Sequence, residues 1–190
     1  MNYRIFVEKR PAFQVEAQSL KNELNENLQL SLQSLRYINV YDLFGFTPEL
    51  LEQCRYTVFG ETVTDTVTEI SPLTSNSDSG LTSSKYLAVE YIPGQFDQRA
   101  SSAVDCVHLI DPNAEVEIRS SRLLIFDDTI SEADMAKIRH YYINAVESRE
   151  KDLSQLVQNQ TADIKPLAKL DGFINMPREE YAAFCKQWGL

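Results

Sequence analysis

One feature constrains this chain more than any other: the sequence repeats itself once, at an offset of 82–83 residues. Near the start stands Ile5-Phe6-Val7-Glu8-Lys9-Arg10-Pro11, and later Leu87-Ala88-Val89-Glu90-Tyr91-Ile92-Pro93. Val7 and Val89, Glu8 and Glu90, and Pro11 and Pro93 are each 82 apart. Past the extra Gly94 the offset becomes 83, and Phe13, Ala17, Leu20 and Leu24 map onto Phe96, Ala100, Ala103 and Val107. Both sets are spaced 4, 3, 4, the apolar stripe of an amphipathic helix. A fold that accepts the chain must therefore house two similar units.

Each copy continues with a β-rich run, Leu35–Phe44 in the first and Glu115–Phe126 in the second. The second run reads as two shorter strands around Ser120-Ser121, and Phe44 and Phe126 are again 82 apart. Helix starts follow. Thr47-Pro48-Glu49 offers an N-cap, an N1 proline and an early acid, and Ser131-Glu132-Ala133-Asp134 a capping-box-like start. These helices are expected to bury Leu50, Leu51, Cys54 and Val58 in one copy and Met135, Ile138 and Tyr142 in the other. Thr-rich alternation over Glu61–Ile70 suggests an edge strand with Val63, Asp65 and Val67 on one face.

Between the copies, Ser71–Ser84 is Ser/Thr/Asn/Gly-rich and reads as a connector. One copy alone is marginal in size, so the reading is a fused pseudo-dimer. The fold class is α+β: two tandem βαββα-type repeats with an antiparallel sheet covered by helices, copies about 1–70 and 85–145. Residues 146–190 form a linker-like tail ending in a helix from near Pro177, with Tyr181, Phe184, Cys185 and Trp188. Within it, the charge run Glu147–Asp152 reads as solvated.

Composition narrows function by exclusion. With 18 Lys+Arg against 28 Asp+Glu the formal charge is −10, which argues against a nucleic-acid partner. No apolar run approaches the roughly 18 residues of a membrane span, the N-terminus has no signal-peptide pattern, and no membrane partner is expected. Three widely spaced cysteines, Cys54, Cys106 and Cys185, make no disulfide framework and fit a reducing cytoplasm.

Candidate chemistry is sparse. Cys106 and His108 are two apart and point away from each other on a helix, and His140 has no ligand partner at metal spacing. Gln95, Asp97, Gln98 and Arg99 bring polar groups to a helix start, where the site of a regulatory small-molecule-binding module would sit between the copies; helix capping by Asp97 and a solvated Arg99 is the preferred reading. Asp127-Asp128 reads as a turn before a helix. Arg119 and Arg122 flank Ser120-Ser121, placed to grip a phosphate or to mark a hairpin tip. The residues themselves assign no catalytic, cofactor-binding or metal site.

Three segments carry a resemblance: YRIFVEKRPAFQVEAQSLKNELNENL at the N-terminus, AVEYIPGQFDQRASSAVDC in the centre, and YYINAVESREKDLSQL later. Together they resemble the N-terminal region of large single-chain phosphoribosylformylglycinamidine synthases of the Gram-positive type, most specifically at Pro93–Arg99 and Val146–Asp152. The resemblance implies a duplicated small-structural-subunit-like domain followed by the start of a linker, at the head of a far longer enzyme. That enzyme is an ATP- and glutamine-dependent ligase of purine biosynthesis. Its ATP, Mg2+ and glutaminase residues lie in domains outside these 190 residues. The expected role is therefore a non-catalytic assembly module, with the synthetase and glutaminase domains of the same chain as partners. Cys185 lacks the Gly-rich turn of a glutaminase nucleophile. Ala145 stands where the small subunit's Asn-Pro-Val end has proline.

Overall fold

A computed structural model describes residues 1–73, 85–158 and 176–188. The first copy runs β1 (Asn2–Lys9), α1 (Val15–Leu28), β2 (Leu35–Phe44), α2 (Pro48–Cys54) and β3 (Asp65–Thr68). The second runs β4 (Tyr86–Tyr91), α3 (Gln98–Ile110), β5 (Glu117–Phe126), α4 (Glu132–Tyr142) and β6 (Ser148–Glu150). The strands form a single antiparallel sheet in the order β3-β1-β2-β5-β4-β6. The order is palindromic, as a two-fold axis between β2 and β5 requires. Those central strands pair over their full length, from Leu35↔Phe126 to Phe44↔Glu117. A last helix, α5 (Tyr181–Trp188), follows a 3-10 turn at Arg178–Glu180, with Tyr181 exposed and Phe184 and Cys185 half-buried.

The repeat offset survives in three dimensions. Ala17, Leu20 and Leu24 are buried on α1, and their counterparts Ala100, Ala103 and Val107 are buried on α3. Thr47 caps α2 by accepting from the Leu50 amide at 3.2 Å, and Ser131 caps α4 by accepting from Asp134 at 3.1 Å. The pairing of Phe44 with Phe126 does not survive. Phe126 packs beneath the helices, whereas Phe44 faces the other side of the sheet under the Arg119 guanidinium. Leu43, at an offset of 83, occupies the place equivalent to Phe126. A strand has period two, so a one-residue difference in offset exchanges the faces.

A second difference concerns Ser120-Ser121, which lie buried within one unbroken ten-residue strand. Each repeat is thus β-α-β-α-β, with no hairpin tip in β5. The continuous pairing to β2 keeps the strand straight through the two serines.

The packing fuses the two copies. One helix-side cluster joins Leu50, Leu51 and Cys54 of α2 to Ala100, Ala103 and Val107 of α3 over Ile5, Val7, Tyr41, Leu43 and Ile118. The other joins Ala17, Leu20 and Leu24 of α1 to Met135 and Ile138 of α4 over Leu35, Tyr37, Leu87, Val89, Leu124 and Phe126. Each core takes one helix from each copy, so neither copy holds a complete core by itself. Val58 and Tyr142 reach these clusters only partly buried. Val63 lies outside β3 and is exposed, while Asp65 is buried and bound to Lys9 at 2.8 Å. Gly45, between β2 and α2, has φ +79°, and a Cβ there would lie 2.3 Å from the Glu115 carbonyl oxygen, so only glycine fits.

The opposite face of the sheet carries Phe6, Ile38, Val40, Ala88, Leu123 and Ile125, with Leu73 and Leu153 packed against them. Ser148–Glu150, assigned from sequence to the linker after residue 145, is the edge strand β6 and occupies the place of β3. Beyond it the chain crosses this face. Arg4 donates to the Leu153 carbonyl and, at 2.7 Å, to that of Gln155; Arg119 donates to Gln158. The charge run is not solvated throughout. Lys151 is 6% exposed, and its ammonium lies 2.8 Å from Asp42 and 3.0 Å from Glu90. Arg149, two residues earlier on the same side, also pairs with Glu90 at 2.8 Å. Burial pushes the Glu90 carboxyl up, but Lys151 and Arg149 outweigh it and hold the group below its ordinary value.

Candidate functional site

On the helix side, the residues around the two-fold axis are polar. Arg122 stands opposite Asn39 in the β2–β5 register, at the centre of the sheet. It borders two clefts. One, of about 670 Å³, is walled by α1 and includes Lys9, Glu16, Glu23, Tyr37 and Tyr142. The other, of about 450 Å³, is walled by α3 and includes Tyr41, Tyr91, Gln98, Arg99 and Cys106. Arg99 donates to the Tyr41 hydroxyl at 3.5 Å, and Arg122 lies beside Tyr37 and Tyr142. Burial pushes the Tyr37 and Tyr142 hydroxyls above their ordinary range, so both stay neutral and bring no counter-charge to Arg122. The Asn39 Oδ1 atom is buried with no hydrogen-bond partner among the described residues.

The sequence candidates divide between this region and elsewhere. Gln98 and Arg99 line the α3 cleft. Asp97 caps α3 through the Ala100 amide at 2.9 Å and binds the Ser120 amide and hydroxyl, each at 2.8 Å, so it is a structural clamp between helix and sheet. Gln95 donates to the Val146 carbonyl at 3.1 Å. Arg119 and Arg122 lie on opposite faces of β5 and cannot grip one phosphate together: Arg119 covers Phe44 and pairs with Glu117 at 2.8 Å. Asp127 accepts from the Gln33 amide at 2.9 Å and the Ser34 amide at 3.3 Å, holding a turn. Cys106 is exposed on α3, and His108 Nε2 lies 3.1 Å from the Ala114 carbonyl oxygen, so the two form no pair.

Sequence reading missed the tyrosines around Arg122 and the Lys151–Asp42–Glu90 cluster. The first had no local signal, because β2, β4, β5 and α4 each supply one or two members. The second had one. Arg149 and Lys151 alternate along a strand, which puts both on one face of it.

The two copies also expose matched apolar groups near one another in each repeat. Phe13 and Val63 are 42% and 65% exposed; their counterparts Phe96 and Val146, 83 residues on, are 73% and 72% exposed. In the first copy the Arg10 amide bonds the Thr64 carbonyl at 2.8 Å, and in the second Gln95 bonds Val146, so each phenylalanine loop is tied to its valine loop.

Among the described residues no group of three or more His, Cys, Asp or Glu is arranged to hold a metal, and no helix is long and apolar enough to cross a membrane. No protein-family model matches the chain, and no curated protein and no solved structure matches it either.

Proposed function

We propose that the chain is the N-terminal assembly module of a phosphoribosylformylglycinamidine synthase of the large single-chain type. In this role it carries no chemistry and scaffolds the synthetase and glutaminase domains of the same chain, so that ammonia passes between their sites. ATP and Mg2+ act in those domains, in the cytoplasm. The observation that carries the reading is the pair of cores shared between two fused copies, which is what a covalently joined dimer of a small structural subunit should look like. The matched Phe13/Val63 and Phe96/Val146 pairs supply apolar anchors of the size that dominates interfaces.

The test is reconstitution. A synthase of this type expressed without its N-terminal region is mixed with the 190-residue chain. The expected result is a one-to-one complex with restored glutamine-dependent ligase activity, weakened about tenfold or more by Phe96→Ser with Val146→Ser. Absence of any complex, or glutamine hydrolysis by the isolated chain, would contradict the proposal.

A further inference from the structure

The two helix-side clefts are counterparts under the repeat, yet they differ in one consistent direction. At an offset of 83, Glu16 becomes Arg99, Glu23 becomes Cys106 and Leu20 becomes Ala103, and at 82 Lys9 becomes Tyr91. From the first cleft to the second, both acids and Lys9 are lost, a large side chain is cut back, and Arg99 is gained from the helix. Arg122, on the central strand, borders both clefts and is the second cation here. The α3 cleft therefore holds two guanidinium groups and no carboxylate, in a chain of net charge −10.

These cations lack the partners that other arginines have. Arg4, Arg36, Arg119 and Arg149 each pair with a carboxylate on the opposite face. Among the described residues no carboxylate lies within ion-pair distance of Arg99 or Arg122; Arg99 donates to the Tyr41 hydroxyl, and Arg122 lies beside Tyr142. Glu16, across the axis, is the nearby acid that acts on Arg99, from beyond that distance. Arg99 is exposed and Arg122 half-buried, and with no carboxylate paired to either, both charges stay open to an anionic ligand.

We infer that the α3 cleft, with Arg99 and Arg122 as ligands, binds a phosphate dianion, free or as the monoester of a small molecule. Two uncompensated positive charges match a dianion, where a carboxylate would neutralise only one. The planar forks of arginine suit phosphate oxygens. Ser102, Gln98 and the Tyr41 hydroxyl add polar groups at the same wall. A volume of about 450 Å³ accommodates a small phosphorylated ligand.

The test is a titration of the 190-residue chain with inorganic phosphate and with methyl phosphate, followed by amide chemical shifts at constant ionic strength. Saturable shifts confined to the amides of Gln98–Ser102 and to Arg122 are expected with at least one of the two. Binding by methyl phosphate alone identifies the monoester as the ligand form. Arg99→Gln, on the solvent side of α3, should weaken the affinity at least tenfold with the spectrum otherwise unchanged. Arg122→Gln should do the same, and Glu16→Gln in the counterpart cleft should not weaken it. Shifts that never saturate, an affinity unaffected by Arg99→Gln, or equal affinity for acetate would overturn the inference.

Discussion

Replacement of Lys151 by methionine is expected to destabilise the chain by about 3–5 kcal/mol, the cost of leaving buried charge without its partner. The ammonium is almost wholly enclosed and joins Asp42, on the strand next to the axis, to Glu90 on β4. Arg4 remains on Asp42 and Arg149 on Glu90, so the loss falls toward the lower part of that range. The effect carries a pH signature. The Glu90 carboxyl is held below its ordinary value in the folded chain, so the stabilisation it reports is complete above about pH 4.3, the unfolded value. It is lost as the pH falls through the lower folded value. The gap between wild type and Lys151→Met should therefore be widest near neutrality and shrink below about pH 4. Urea unfolding at several pH values checks this; a gap under about 1 kcal/mol at pH 7 would mean the cluster is not desolvated.

Leu24→Ala carries the second large effect, about 3–5 kcal/mol. Leu24 is fully buried and shares its cluster with Met135 and Ile138, which belong to the other copy. The cavity would therefore open between copies. Combined with Ile138→Ala, the two changes should fail to add by about 0.5 kcal/mol or more, because both empty one space. Simple additivity in urea unfolding would show that α1 and α4 pack independently.

Much of this architecture is legible in the sequence, because the repeat, the helix stripes and the caps are local patterns. Ala17, Leu20 and Leu24 could be matched to Ala100, Ala103 and Val107 from spacing alone, and the burial of all six follows. What spacing does not carry is partner choice. Nothing local says that α1 packs beside α4 and α2 beside α3 rather than within their own copies. The same limit explains Ser120-Ser121: small polar residues suggest a turn until a ten-residue partner strand holds them straight. It also explains the candidate site. Arg122 gained meaning only once Asn39 was set opposite it and Arg99 was brought in from α3.

Whether the copies are one body is decided most directly by cutting the chain between them. A protease site inserted within residues 74–84 and cleaved after folding separates the copies covalently and leaves every described core residue intact. With cores shared across the axis, the halves should stay associated under native conditions and unfold in one transition whose midpoint rises with protein concentration. Halves that part on a native column, or that unfold in two separate concentration-independent transitions, would contradict the fused pseudo-dimer.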